Sequence, residues 1–169
     1  TYQDELKYLV TDVDRMQYIA KMIDDIRQTG NTLVLVDRIK AGELLCELLD
    51  KSVFVNGSMS VEKRKVHYDS VKSSDDRLIV ATYKVAAVGI NMINIKHVVL
   101  IEPGKSFVRV IQSIGRGLRK SETKTHVDIW DITSSCKFSK RHLTKRKKFY
   151  NESEYQYKIE KIKRFIYNF

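Results

Sequence analysis

Gln112, Arg116 and Arg119 are the residues whose type and spacing most directly suggest chemistry, within Gln112-Ser113-Ile114-Gly115-Arg116-Gly117-Leu118-Arg119. On a helix these three share one side. Phe107, Ile111, Ile114 and Leu118 make an apolar stripe on the other side, suited to burial against a sheet. Two guanidinium groups one turn apart repel mildly, unless an anion comes between them. Their planar, permanently charged forks suit phosphate oxygens, above all charge developing on a transferring γ-phosphoryl group. The competing explanation is the solvated face of an ordinary surface helix. Gly115 and Gly117 weigh against it, because each costs a helix interior about 1 kcal/mol with no packing reason visible in the sequence.

Other chemical patterns fail on spacing. Gly104-Lys105-Ser106 looks like the end of a phosphate-binding loop, but Val99 stands where that loop needs its first glycine. The amide cradle for two phosphates would be missing. Gly115-x-Gly117 is no dinucleotide fingerprint, since it lies inside a helix and Lys120 takes the third glycine's place. His67, His97, His126 and His142 are scattered, without cysteine or carboxylate neighbours at ligand spacing, so no metal site is expected. No Ser-His-Asp or nucleophile-elbow pattern occurs. Asp24-Asp25 and Asp75-Asp76 read as solvated charge.

The elements that would position these residues alternate. Thr11-Asp12 caps a helical repeat of Val13, Met16, Ile19, Ala20, Ile23 and Ile26, which Gly30 ends. Thr32 to Val36 is a β-branched run of the kind buried on both faces of a sheet. A helix over 39–49, a strand over 53–55 and a helix from Ser60 follow. Strands are expected at 78–81, 98–101 and 127–132, with a short helix over 83–88 and a longer one over 106–118. Five strands alternating with helices predict an α/β fold: a parallel sheet covered on both faces. The expected domain is 1–133, followed by a basic, aromatic helical extension over 134–169. Thr1 in place of methionine suggests an excised fragment.

Cys46 and Cys136 form no disulfide framework, which suggests a reducing, intracellular setting, and no apolar run is long enough to span a membrane. The net charge of +10 is uneven. Residues 134–169 hold 11 of the 31 basic residues and 3 of the 21 acidic ones. That asymmetry predicts a polyanionic partner. Lys145-Arg146-Lys147-Lys148 followed by Phe149-Tyr150 mixes charge with surfaces that could stack on bases. Packing of Ile159, Ile162, Phe165 and Ile166 on the body is expected beside that role.

Four segments in order carry a family resemblance. Gln112-x-x-Gly115-Arg116-x-x-Arg119 resembles motif VI of superfamily 2 helicases. Ile79 to Asn91, with Thr82 ending a strand and Gly89-Ile90-Asn91 in a turn, resembles motif V. Leu33 to Val36 with Asp37-Arg38 resembles motif IV, and Phe54 to Gly57 before Glu62-Lys63-Arg64 resembles the segment after it. Asn91 and Val88 stand where many members carry aspartate and arginine. The chain is thereby similar to the C-terminal RecA-like lobe of these helicases, on the branch of the RecG- and XPB-like translocases.

The resemblance implies a set of roles. Arg116 and Arg119 would be arginine fingers on ATP, and Gln112 would couple nucleotide to the interface between lobes. Gly89 and Asn91 would lie beside the ribose. Thr82 would donate its hydroxyl to a nucleic-acid phosphate, with Gly57 and Arg38 near the strand groove; Lys145, Arg146, Lys147 and Lys148 would add affinity. ATP and Mg²⁺ would be held mainly by an N-terminal lobe of the same polypeptide, so this chain alone would be inactive. The expected partner is DNA, branched DNA in recombination, replication and repair included, with RNA or an RNA–DNA hybrid as further candidates, for a monomer in the cytoplasm of a host cell. Each role has a plainer alternative: Thr82 as a helix cap, Gly57 as a left-handed turn, Arg38 as a surface ion pair. For the whole chain the alternative is a non-catalytic nucleic-acid-binding module that works through its basic tail.

Overall fold

The computed structural model describes residues 1–88, 94–104, 107–119, 126–163 and 165, and for 114–119 the backbone alone. Helices α1 (Tyr2–Thr11) and α2 (Val13–Ile26) precede the first strand, β1 (Thr32–Val36). Then follow α3 (Ile39–Leu48), β2 (Ser52–Val55), α4 (Val61–Asp69), β3 (Leu78–Thr82) and α5 (Tyr83–Ala87). The chain continues through β4 (His97–Ile101), α6 (Phe107–Arg119), β5 (Asp128–Ile132) and α7 (Lys137–Glu152).

Local chemistry sets the element ends. Asp12 accepts from the Arg15 amide at 3.2 Å and caps α2, as expected. Ser60 does the same for α4 through Lys63. At Gly30 the backbone takes φ 155° and ψ 172°, a region essentially reserved for glycine, and turns the chain from α2 into β1. Sequence reasoning passed over α1, which opens on a reciprocal cap between Thr1 and Asp4.

The sheet is parallel throughout and ordered β2-β3-β1-β4-β5. Alternation in the central strands feeds two cores. Val34, Val36, Leu78, Val80, Val99 and Ile101 face α1, α2 and α3. Leu33, Leu35, Ile79, Ala81, Val98 and Leu100 face the other side, with Phe107, Val110 and Ile111 of α6 and Tyr150 of α7. Burial on both faces explains why these strands read as unbroken apolar runs. The parallel α/β architecture expected from the sequence is the one observed.

Beyond α7 the expectation needs correction. Ile159 and Ile162 are exposed rather than packed, in a stretch without helix. Phe165 does reach the body, edge-on to Tyr18 at 5.4 Å. Ile166 lies outside the described residues.

Candidate nucleotide and nucleic-acid interface

Parallel strands point their carboxyl ends one way, and such ends are where α/β sheets gather their ligands. Register fixes the neighbours along that edge. Val36 pairs with Thr82, and Val55 pairs with Ala81. Asn56-Gly57 after β2, Thr82 ending β3 and Asp37-Arg38 after β1 therefore sit side by side, although they are far apart along the chain. Glu102 and Pro103 after β4 and Thr133 after β5 extend the row.

Each residue of the row has a definable state. Thr82 is buried, and its Oγ1 accepts from the Val85 amide at 3.3 Å, capping α5. That is the plainer role weighed for it; the cap occupies a lone pair and does not commit the hydroxyl proton. The Asn56 Oδ1 accepts from the Ser58 amide at 2.9 Å and from its hydroxyl at 2.5 Å, closing a tight turn. Gly57 sits exposed on that turn. It does not take a positive φ, and a Cβ there would meet nothing. The left-handed turn is thus not the reason for this glycine. Arg38 is half-buried, with Nη2 donating to the Gln3 carbonyl at 3.2 Å and to its side-chain oxygen at 2.6 Å, so its tie runs to α1 rather than to an acidic partner. Val88 ends α5 well exposed. Gly89 and Asn91 lie outside the described residues.

Helix α6 leaves this edge directly after β4. Phe107, Val110 and Ile111 are buried while Gln112 is exposed, which agrees with the two-sided reading of that helix. Arg116 and Arg119 lie on α6, which runs unbroken to Arg119; their side chains fall outside the described residues.

Helix α7 divides the basic run. Lys145 and Lys148 are exposed and Lys147 half-buried, but Arg146 is 1% exposed. Its Nε and Nη2 grip the Asp131 carboxylate at 2.7 and 2.9 Å, and Nη1 donates to the Pro103 carbonyl at 2.8 Å. The Tyr150 hydroxyl donates to the same carboxylate at 2.7 Å. Arg146 is therefore withdrawn from the set available to nucleic acid. So are the two aromatics expected to stack on bases. Phe149 and Tyr150 pack edge-on against Phe107 at 5.4 and 6.1 Å, at the start of α6. Burial, then the Asp131 carboxylate, push the Tyr150 phenol well above its ordinary pKa.

A second buried polar set lies next to the first, and sequence reasoning missed it. Arg15 of α2 donates to the Glu102 carboxylate at 2.5 Å and to the Leu9 carbonyl at 3.0 Å. Ser139 and Thr133 hydroxyls donate to the other Glu102 oxygen. Glu5 accepts from the amides of Phe138 and Ser139, both at 3.0 Å, at the amino end of α7, where a carboxylate suits the helix dipole. Burial pushes the Glu102 carboxyl up; Arg15 and the hydroxyls pull it part of the way back. Each of these polar residues sits alone in an otherwise ordinary stretch, so nothing in the linear pattern announces the pairing.

The nucleotide chemistry implied by the family can be tested on this edge. Val99 is wholly buried inside β4, and a Cβ at Gly104 would come within 2.9 Å of the Tyr2 hydroxyl. Among the described residues, Gly104 is thus accounted for by its close approach to Tyr2. Among the described residues no group of three or more His, Cys, Asp or Glu could hold a metal ion.

Residues 14–121 match the helicase conserved C-terminal domain. The chain belongs to that family. This helicase C-terminal domain is 32% identical over 154 residues to the ATP-dependent DNA helicase UvsW of Enterobacteria phage T4, covering 88% of this chain and 31% of that protein. It is 30% identical over 143 residues to a pre-mRNA-splicing ATP-dependent RNA helicase of Debaryomyces hansenii, covering 80% and 24%. The crystal structure of T4 UvsW superposes with a TM-score of 0.72 at 26% identity, over 92% of this chain and 36% of that one. The helicase C-terminal domain thus has the RecA-like architecture and spans between 24% and 31% of the length of these curated relatives. Among the described residues no helix is long and apolar enough to cross a membrane.

Proposed function

We propose that the chain is the second motor lobe of an ATP-dependent DNA helicase or translocase that acts on branched DNA in recombination, replication and repair. The observation that carries this reading is the row of Gly57, Thr82 and Arg38 at the carboxyl edge of a helicase C-terminal sheet, with α6 leaving the same edge behind its exposed Gln112. The glycine needs no intramolecular explanation, which suits close approach by a nucleic-acid backbone. The Thr82 hydroxyl proton, which its cap leaves uncommitted, would bond a phosphate there. ATP and Mg²⁺ would be held by an N-terminal lobe of the same polypeptide, with Gly89 and Asn91 against the ribose. Bound ATP supplies hydrolysis as the driving reaction. Arg116 and Arg119 would neutralise charge on its γ-phosphate, and Gln112 would link that event to lobe closure. Alternation between closed and open lobes would shift the grip on the strand. The resemblance to both DNA and RNA helicases keeps RNA as a second substrate class, and with either substrate the protein would work inside a cell.

The test uses the intact polypeptide. Arg116→Ala should lower nucleic-acid-stimulated ATP hydrolysis on the order of 10³-fold while ATP binding is largely retained. Hydrolysis at the parental rate would end the finger assignment. The rival reading, a non-catalytic module acting through its basic tail, predicts that the intact protein has no such hydrolysis to lose. Deleting residues 137–169 cannot separate the two, because Tyr150 belongs to the core and Arg146 neutralises Asp131.

A further inference from the structure

The structure turns α7 into a helix with two unlike sides. Its inner side holds Ser139, Arg146, Phe149 and Tyr150 against the body. Lys137, Arg141, Lys145 and Lys148 are exposed and recur every three or four residues, with exposed Lys140 beside Arg141, so the five fall on one outer side of the helix. Lys148 alone has an acidic neighbour on the helix, Glu152 at 3.9 Å. Lys137 and Arg141 lie over the Phe138 ring at 5.6 and 5.5 Å, which steadies their stems while the cationic heads stay in water. The helix itself is clamped at both ends, by Glu5 on the amides of Phe138 and Ser139 and by Asp131 on Arg146 and Tyr150.

We infer that this outer side of α7 is a docking surface for the phosphate backbone of duplex DNA, distinct from the row at the carboxyl edge of the sheet. Two observations favour a duplex over a single strand. Single-strand grooves combine cations with aromatic platforms for unstacked bases. Here Phe149 and Tyr150 are turned inward against Phe107 and the Phe138 ring is covered by Lys137 and Arg141, so the outer side offers cations rather than open aromatic platforms. The row is also straight and held rigid. Successive cations on one helix side rise about 5 Å per turn, so the rigid row offers regularly placed charges to a duplex whose phosphates are themselves held at regular intervals. Backbone contact of this kind orients a duplex without reading its sequence. The inner side of the same helix packs on Phe107, the first residue of α6, so a duplex held here lies one packing layer from the helix that carries Gln112, Arg116 and Arg119.

The inference rests on the nucleic-acid half of the function proposed above. Its test is the salt dependence of binding by the intact polypeptide, read by fluorescence anisotropy on a blunt 20-base-pair duplex and on an oligo-dT strand. The variant Lys137→Gln/Lys140→Gln/Arg141→Gln/Lys145→Gln keeps helix-forming side chains and removes four charges. Each lost phosphate contact reduces the slope of log affinity against log salt by about 0.9 on duplex. The variant's duplex slope should therefore be shallower by about 3 to 4, so that the parent's affinity advantage over the variant shrinks roughly 10²-fold between 50 and 200 mM salt. The oligo-dT slope should barely move. A duplex slope equal to the parent's, with an unchanged melting temperature, overturns the proposal and leaves a solvated surface. An equal fall on both nucleic acids also overturns it, in favour of a single-strand contact. A parent that binds neither probe would instead bring down the motor reading itself.

Discussion

Four adjacent basic residues, Lys145 to Lys148, have different fates because a helix turns them in different directions. Arg146 faces inward and meets a carboxylate with both arms of its fork, a geometry that suits arginine and not lysine. Its value to the fold is the avoidance of an unpaired buried charge. Asp131 keeps 16% of its side-chain exposure and Arg146 only 1%. Arg146→Met should therefore cost about 3 kcal/mol, at the lower end for breaking a buried pair, measured by urea unfolding. A loss below about 1 kcal/mol would mean that water reaches Asp131 well enough to replace the guanidinium. Thr82 and Gly57 make a contrasting pair. The first has an intramolecular task and the second has none, so Gly57→Ala should leave stability within about 0.5 kcal/mol of the parent while weakening nucleic-acid binding. Loss of stability instead would show that the turn itself requires the glycine.

Helices in this fold are placed by how closely they approach the sheet. On α3, Ala41, Gly42 and Leu45 are buried, and the Phe54 ring of β2 lies where a Cβ on Gly42 would fall, with Cε1 and Cζ in its way. Alanine would raise helix propensity by about 1 kcal/mol, but it would also force the ring from its seat at a cost of about 1–3 kcal/mol. Gly42→Ala should consequently lower the melting temperature by a few degrees. An unchanged or raised melting temperature would show that the ring has a second seat. Helix α7 shows the same logic with polar contacts. It is joined to α1 through Glu5 and to β5 through Asp131, and it contributes Tyr150 to the core it shares with α6. A helix that reads as a basic appendage is built into the body, which gives its outer cations a fixed frame.

Taken as one body, the domain buries ionisable groups in the protonation state that folding prefers, and this sets its response to alkali. Burial raises the Tyr83 and Tyr150 phenols well above their ordinary value and Tyr68 to about 12. The unfolded chain would ionise all three near pH 10. A folded pKa above the unfolded one means that the stabilising contribution is complete below about pH 10 and is lost as pH rises through the folded values. Unfolding should therefore become easier above about pH 10, with tyrosinate absorbance appearing together with loss of helix. Tyrosinate that grows in fully before any loss of helix would contradict this coupling. Tyr150→Phe should flatten part of the alkaline slope while lowering stability at neutral pH through the lost bond to Asp131.

Residue order alone determined the strands, their parallel arrangement and the two-sided character of α6, because apolar periodicity and caps such as Asp12 and Ser60 act within a few residues. The motif order from Asp37-Arg38 to Arg119 was equally legible, and it led to the family. Tertiary structure decided which polar groups are free. Arg15 meets Glu102 across 87 positions, and Glu5 meets Ser139 across 134. Such partners are chosen by desolvation once the sheet and helices close, and that choice leaves no local periodic trace. The same closure turned Phe149, Tyr150 and Arg146 inward and left their lysine neighbours outside. In the linear chain, Lys145 to Tyr150 read as a single mixed surface for bases and phosphates. In the fold a helix of about 100° per residue splits them, so that Lys145 and Lys148 face the solvent while Arg146 and Tyr150 face the body.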